Sequence, residues 1–185
     1  MSIFDRLKKL VQTTDQSLDQ KVTFTFRELP KSLAELQTLN EASLDTPFKT
    51  AALTVLALCC YAVDKENGKE MLNWLRGPRP LSRKEISELN DIFRDGKTYI
   101  PFSYFVGATP ENDYTPKKPY TIVIETNKYS FLIEGYTELC ILCGGANYLS
   151  NIRLRKRGSD GKWFLWEHDY LLRDIKIPIS LDPWA

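Results

Sequence analysis

Ile152-Arg-Leu-Arg-Lys-Arg-Gly-Ser-Asp-Gly-Lys-Trp-Phe-Leu-Trp-Glu-His168 is the stretch that predicts the architecture most directly. Apolar and basic residues alternate up to Arg157, and aromatic residues recur after Gly161, which is typical of two β-strands. The four residues between them, Gly158-Ser-Asp-Gly161, have the composition of a tight turn. We therefore predict an antiparallel hairpin formed by residues 152–157 and 162–168.

The length of this turn determines which side chains share a face of the hairpin. When the turn has an even number of residues, two residues that lie opposite each other on the two strands have one odd and one even number. Three arginines and two aromatic residues then share one face: Arg153, Arg155, Arg157, Phe164 and Trp166. Four apolar residues share the other face, toward the helices: Ile152, Leu154, Trp163 and Leu165. We predict the even turn, because an odd turn with a bulge would place Trp163 beside arginine.

Other segments extend the strand pattern. Tyr120–Glu125 and Thr137–Cys143 are short apolar runs, and Lys21–Phe26 alternates between apolar and polar residues. The connections in the second half are short, whereas parallel neighbours would need long crossovers. We therefore expect an antiparallel meander there.

The first half of the chain carries helix patterns instead. Capping boxes begin at Ser32 and Ser82, where a hydroxyl precedes a glutamate by three residues. Thr46-Pro47 predicts a third start, because proline is tolerated at the first helical position. Another helix is predicted over residues 66–76, and Gly77-Pro78 ends it.

The helix that begins at Pro47 is apolar on every side up to about Tyr61. A helix without a polar face belongs in the interior of a protein. We expect Leu53, Leu56 and Cys60 to be almost fully buried.

Helices followed by strands predict an α+β fold, with N-terminal helices packed on one face of a C-terminal antiparallel β-meander. A length of 185 residues fits a single domain, residues 1–185. We divide it into an N-terminal amphipathic helix and linker (1–20) and a mainly helical half (21–98). An ordered aromatic loop (99–119) and an antiparallel sheet half (120–185) follow.

The loop at residues 99–119 is long for a segment without a helix or strand pattern. It contains five aromatic residues and four prolines. Flexible linkers are poor in aromatic residues, and prolines restrict the backbone. We therefore predict that this loop is ordered and packed across the domain.

Composition argues against several classes of protein. A net charge of +1 provides no field to attract nucleic acid, so no nucleic acid partner is expected. The most apolar stretch, Ala51–Ala62, is shorter than the roughly 20 residues of a membrane span. The N-terminal ten residues lack a signal-peptide pattern. We expect a cytoplasmic protein whose four cysteines remain thiols.

Catalytic and metal motifs are incomplete. Cys140-Ile-Leu-Cys143 resembles half of a zinc site, but Cys59, Cys60 and His168 do not provide the second half at a suitable spacing. No nucleophile motif and no phosphate-binding glycine loop is present in the sequence. The sequence predicts no catalytic residue, no metal and no cofactor.

Long and unusual segments suggest a family. They include Leu75-Arg-Gly-Pro-Arg-Pro-Leu-Ser82, Ser103-Tyr-Phe-Val-Gly-Ala-Thr-Pro-Glu-Asn-Asp-Tyr-Thr-Pro116, Trp163-Phe-Leu-Trp-Glu167 and Asp182-Pro-Trp-Ala185. From about Phe24 to the end, the chain resembles a family of uncharacterised bacterial proteins known only as a domain of unknown function. That resemblance implies no activity, substrate or catalytic residue.

We therefore favour a non-catalytic binding or protein-interaction domain, with a protein, peptide or small molecule as the unknown partner. Tyrosine offers a large rigid contact area with a polar tip, which suits recognition. The candidate recognition residues are Arg79, Tyr104, Asn112, Asp113 and Tyr114. They could instead anchor the long loop.

Two further alternatives concern the sheet. The chain could be a small enzyme with a cleft between the sheet and the helices. The arginine face of the hairpin is similar to an RNA-binding surface, in which aromatic rings stack on bases. We favour a solvated face whose aromatic rings are shielded by arginine stems.

Overall fold

The computed structural model describes residues 20–185. The predicted N-terminal amphipathic helix and its linker lie outside the described residues. The strands in the described part are β1 (Lys21–Phe26), β2 (Tyr120–Glu125), β3 (Tyr136–Ile141), β4 (Ser150–Lys156) and β5 (Trp163–Glu167). The α-helices there are α1 (Leu33–Gln37), α2 (Pro47–Val63), α3 (Lys65–Arg76) and α4 (Arg83–Ile92). Short 3-10 helices occur at Asn40–Ser43, Lys97–Tyr104, Pro110–Asn112, Asp169–Leu172 and Ile179–Leu181.

Three of the four α-helices in the described part begin at their predicted capping residues. The side chains of Ser32, Thr46 and Ser82 each accept a backbone hydrogen bond at the start of α1, α2 and α4. At Ser82 the capping box is complete, because the carboxylate of Glu85 also accepts the Ser82 N–H at 2.8 Å. α3 ends at Arg76, directly before Gly77, as predicted. Gly77 has a backbone φ of +60°, which glycine adopts readily.

α2 lies in the centre of the core. Leu53 and Leu56 are fully buried and Cys60 is 8% exposed, which confirms the prediction for this helix. α2 packs against α3 and against β2, β3, β4 and β5. The helices thus cover one face of the sheet, and the predicted α+β fold is confirmed. α2 has 17 residues and is the longest helix of the described part. In that part of the chain, no helix is both long enough and apolar enough to cross a membrane.

The sheet has the order β1-β2-β3-β4-β5, and every neighbouring pair is antiparallel. β2 to β5 form the predicted meander. β1 precedes the helices in the chain and joins the sheet beside β2. β5 lies at the opposite end of the sheet from β1, so within residues 20–185 its outer side faces no further strand.

The hairpin of β4 and β5 has the predicted register. Leu154 opposes Leu165, and both side chains are buried. The turn is Gly158–Gly161, because the N–H of Arg157 donates to the carbonyl oxygen of Lys162 at 2.8 Å. This four-residue turn confirms the even parity, which places the apolar residues of both strands toward the helices.

β5 is less regular than its sequence predicts. A bulge shifts the register between Arg153 and Leu154, so that Arg153 faces Glu167. Nη1 of Arg153 lies 3.1 Å from Oε2 of Glu167 as a result. The strand ends at Glu167, and His168, the last residue of the predicted strand, is buried at 3% exposure.

The loop at residues 99–119 contains more structure than the sequence predicts. Two of the 3-10 helices, Lys97–Tyr104 and Pro110–Asn112, lie wholly or partly within it. The ring of Tyr99 stacks on that of Tyr114 at a centroid distance of 5.4 Å. The N–H of Val106 donates to the carbonyl oxygen of Thr121 at 2.8 Å, which joins the loop to β2.

Candidate functional site

A cleft lies where the loop after α3 meets the hairpin of β4 and β5. Its volume is about 350 Å³. Basic and aromatic side chains dominate its lining: Arg76, Arg79, Arg155, Lys156, Arg157, Phe164 and Trp166. Among the residues that the structure describes, no acidic residue lines it. We call this cavity the arginine cleft.

The loop after α3 forms one wall of the cleft. A Cβ atom at Gly77 would lie 2.6 Å from the ring of Phe164, so only glycine permits this close approach. The guanidinium of Arg79 lies 4.1 Å above the ring centroid of Trp166 and donates a hydrogen bond to the Trp166 carbonyl oxygen. The loop therefore covers the outer side of β5 and holds Arg79 against an aromatic ring.

The hairpin forms the other wall. The guanidinium of Arg155 lies 4.8 Å from the ring centroid of Trp166 and 5.2 Å from that of Tyr136. The guanidinium of Arg157 lies 4.5 Å from the ring centroid of Phe164. Such cation–π contacts hold the side chains without neutralising their charges. The arginine–aromatic face predicted from the turn parity is confirmed.

Some charges in the cleft are compensated and others are not. Arg157 pairs with Asp160, and this hydrogen bond is the main reason that the pKa of Asp160 is lowered to about 2. Within residues 20–185, Arg79 and Arg155 form no ion pair. Arg79 and Arg155 can therefore receive an anion. The side chain of Lys156 lies on the opposite face of β4, where its Nζ atom is 5.9 Å from the ring centroid of Trp163.

Arg76 is the buried member of the cleft. Its Nη2 atom lies 2.6 Å from Oε1 of Glu85 in α4, and its Nε atom donates to the carbonyl oxygen of Arg79 at 3.0 Å. Burial lowers the pKa of Arg76, and the charge of Glu85 acts in the opposite direction. Arg76 thus connects the loop to α4 and fixes the position of Arg79.

His168 lies in the interior, within the electrostatic reach of Arg76 and Arg79. Burial lowers its pKa to about 4, and the two arginines shift the pKa in the same direction. Within the described residues, its Nδ1 atom has no hydrogen-bond partner. The imidazole is therefore neutral near neutral pH.

Trp166 also lines a second cavity, of about 550 Å³. The connection between β2 and β3 forms its apolar rim, and Leu132 and Ile133 in this rim are 69% and 67% exposed. We call this cavity the Leu132 groove. Its main lining residues are Tyr129, Leu132, Ile133, Tyr136, Arg153 and Trp166.

The candidate residues from the sequence do not form one surface. Arg79 lies in the arginine cleft. Tyr104 and Tyr114 are each only 1% exposed, and their hydroxyls donate to the carbonyl oxygens of Leu171 and Lys176. Both tyrosines therefore anchor the aromatic loop to the C-terminal segment and offer no open contact surface.

Asn112 and Asp113 also make local contacts. Asn112 accepts the N–H of Thr109 and donates to the carbonyl oxygen of Gly107, which closes the loop on itself. Asp113 accepts a hydrogen bond from the hydroxyl of Ser180 at 2.6 Å. Anchoring, the alternative left open by the sequence, accounts for these contacts.

The four cysteines are free thiols. Burial is the main cause that raises the pKa of Cys59, Cys60 and Cys140, in the case of Cys60 to about 11. Those three thiols are therefore protonated at neutral pH and are poor nucleophiles. Across residues 20–185, no group of three or more histidine, cysteine or acidic side chains could hold a metal ion.

Comparison with known proteins identifies a family. A family model described as "Domain of unknown function (DUF6935)" matches residues 28–179. The chain belongs to this family. The resemblance to an uncharacterised family is thereby confirmed, although Asp182–Ala185, one of the segments that suggested it, lies outside the matched range. Neither the curated proteins nor the solved structures include a match to the chain.

The family match covers both walls of the arginine cleft. Sequence patterns indicated the arginine–aromatic face but not the contribution of the α3 loop, because Arg79 and Trp166 are far apart in the chain. The Leu132 groove was not predicted either. Its one signal is the apolar run Phe131-Leu-Ile133, which belongs to no strand.

Proposed function

We propose that this chain is a non-catalytic binding domain that recognises an anionic partner in the arginine cleft. The observation that carries the proposal is the pair of Arg79 and Arg155, which line one cavity without ion pairs among the described residues. Stacking of Arg79 and Arg155 on Trp166 holds both charges in place before a partner arrives. A preorganised site loses less side-chain entropy on binding.

A short anionic segment suits this cleft better than a nucleic acid does. Proteins that bind single strands follow the backbone with an extended positive groove. Here the positive surface ends after a few residues, because Arg153, next along the same face of β4, is already paired with Glu138 and Glu167. The net charge of +1 also provides little long-range attraction for a polyanion.

The alternative of an enzyme with a cleft between sheet and helices has less support. Buried side chains from both layers fill most of that space, including Leu53, Leu56, Ile122, Leu154 and Leu165. A cavity of about 380 Å³ remains where α2 meets β2, lined by Cys59, Cys60 and Tyr120 among others, but its two thiols are protonated at neutral pH. We also propose that the domain acts in the bacterial cytoplasm, in keeping with its four free thiols.

Charge reversal in the cleft tests the proposal. A fluorescein-labelled octaglutamate peptide serves as the probe, and its anisotropy measures binding at low and at high salt. We expect Arg155→Glu to weaken binding by at least about tenfold, because a charge that attracts the peptide becomes one that repels it. Added salt should weaken binding to the unmodified protein as well.

Arg27→Glu is the matched control. This residue is exposed after β1, at the opposite end of the sheet from β5, and its substitution makes the same change in net charge. We expect it to alter binding by less than about twofold, since surface charges this far apart are largely screened. Equal losses in both variants would show that the peptide senses only net charge, and the proposal would then be wrong.

A further inference from the structure

The arginine cleft and the Leu132 groove adjoin each other. Trp166 lines both cavities, and its ring meets that of Tyr136, a residue of the groove, edge-on at a centroid distance of 5.6 Å. Arg155 stacks on both rings from the side of the cleft. The two cavities therefore lie side by side on one surface. The stacked side chains of Trp166, Tyr136 and Arg155 form the boundary between them.

The two halves differ in chemistry. The cleft has uncompensated positive charge, whereas the basic residue of the groove, Arg153, is neutralised by Glu138 at 2.8 Å and by Glu167 at 3.1 Å. The groove instead presents Leu132 and Ile133, which are more than half exposed. Exposed apolar groups of this kind gather at interaction sites.

The outer side of β5 is blocked for strand addition. The N–H of Trp163 donates a hydrogen bond to the carbonyl oxygen of Leu44. The carbonyl oxygen of Trp163 accepts a hydrogen bond from the hydroxyl of Thr50. The carbonyl oxygen of Trp166 accepts a hydrogen bond from the guanidinium of Arg79. A partner at this site must therefore be recognised through side chains across the cleft and the groove.

We infer that the partner is an acidic peptide segment that carries an apolar side chain beside its carboxylates. The carboxylates bind in the arginine cleft, and the apolar side chain fills the Leu132 groove across Trp166. This inference rests on the proposed function of the cleft and adds the identity of the partner. Charge complementarity and the continuity of the two cavities support it together.

A peptide fits the groove better than a lipid chain does. Sites for small apolar ligands enclose most of the ligand surface. Leu132 and Ile133 lie open to solvent, and polar groups from Ser130, Thr137 and Glu138 line the same cavity. An apolar side chain whose peptide backbone remains hydrated matches such a lining.

Two labelled hexapeptides of equal charge test the inference. One is Glu-Glu-Leu-Leu-Glu-Glu and the other is Glu-Glu-Ser-Ser-Glu-Glu, so that neither chain direction is assumed. We expect the leucine peptide to bind at least about tenfold more tightly to the full chain. Leu132→Ser and Ile133→Ser should each reduce this preference by at least about threefold, since each removes apolar surface from the groove.

Leu181→Ser is the control, because Leu181 is a similarly exposed leucine that does not line either cavity. It should leave the preference unchanged. Substitutions at such exposed positions preserve folding, which circular dichroism verifies.

The outcomes separate the two proposals. If both peptides bind equally and Arg155→Glu abolishes both interactions, the proposed function stands and the inference is wrong. If neither peptide nor octaglutamate binds, the proposed function itself fails. Displacement of the leucine peptide by dodecanoate at lower concentration than by unlabelled peptide would identify an anionic amphiphile as the occupant and would overturn the inference.

Discussion

His168 is the only histidine of the chain, and its charge is influenced by Asp169, Arg76, Glu85 and Arg79. Its pKa is lowered to about 4 in the folded protein, mainly by burial, from the usual 6.5. Protonation therefore favours the unfolded chain as the pH falls below about 6.5. The stability that the neutral imidazole provides is complete above this pH and is lost as the pH falls toward 4.

This residue predicts a measurable pH dependence. We expect the free energy of unfolding to fall by about 2 kcal/mol between about pH 7 and about pH 5 through His168 alone. Urea unfolding at a series of pH values measures it. In His168→Gln the slope over this interval should become shallower, whatever the absolute stability of the variant. Identical slopes in the two proteins would contradict a buried neutral histidine.

Among the secondary-structure elements, α2 provides most of the contact between the helices and the sheet. Leu56 lies in its centre and is fully buried. Leu56→Ala should reduce the free energy of unfolding by about 2–5 kcal/mol, because it removes apolar contacts and leaves a cavity. Denaturant melts measure this loss. Leu132→Ala, at an exposed leucine, is the control and should change the free energy of unfolding by less than about 0.5 kcal/mol. A similar loss of stability in both variants would exclude a central role for α2.

The elements differ in how well the sequence predicts them, for a physical reason. Ser82 and Thr46 cap helices through atoms within three residues of themselves, so their patterns are sufficient. The 3-10 helix Lys97–Tyr104 has Pro101 inside it and no strong apolar periodicity, so local sequence does not indicate it. The bulge beside Arg153 depends on two strands at once and could not be predicted from either.

At the scale of the whole molecule, the candidate site is the part that sequence indicates least. Local parity correctly placed Arg155 with Trp166 on one face of the hairpin. Arg79 joins them only because α3 ends beside β5, which depends on tertiary packing. The tyrosines of the long loop were proposed for recognition from their chemistry, but Tyr104 and Tyr114 fill the interior. Recognition and anchoring use the same residue types, and only burial distinguishes them.

The buried residues of the helical half and of the sheet half form one continuous core cluster, in which α2 contacts four strands. When two halves share one core, neither can unfold without exposing the apolar surface of the other, so unfolding is cooperative. We expect far-UV circular dichroism, which reports mainly on the helices, and tryptophan fluorescence, to which Trp163 and Trp166 in the sheet contribute, to give the same denaturation midpoint. Leu56→Ala should shift both midpoints equally. Two separate midpoints, or a shift in the helical signal alone, would show that the chain contains two independent units.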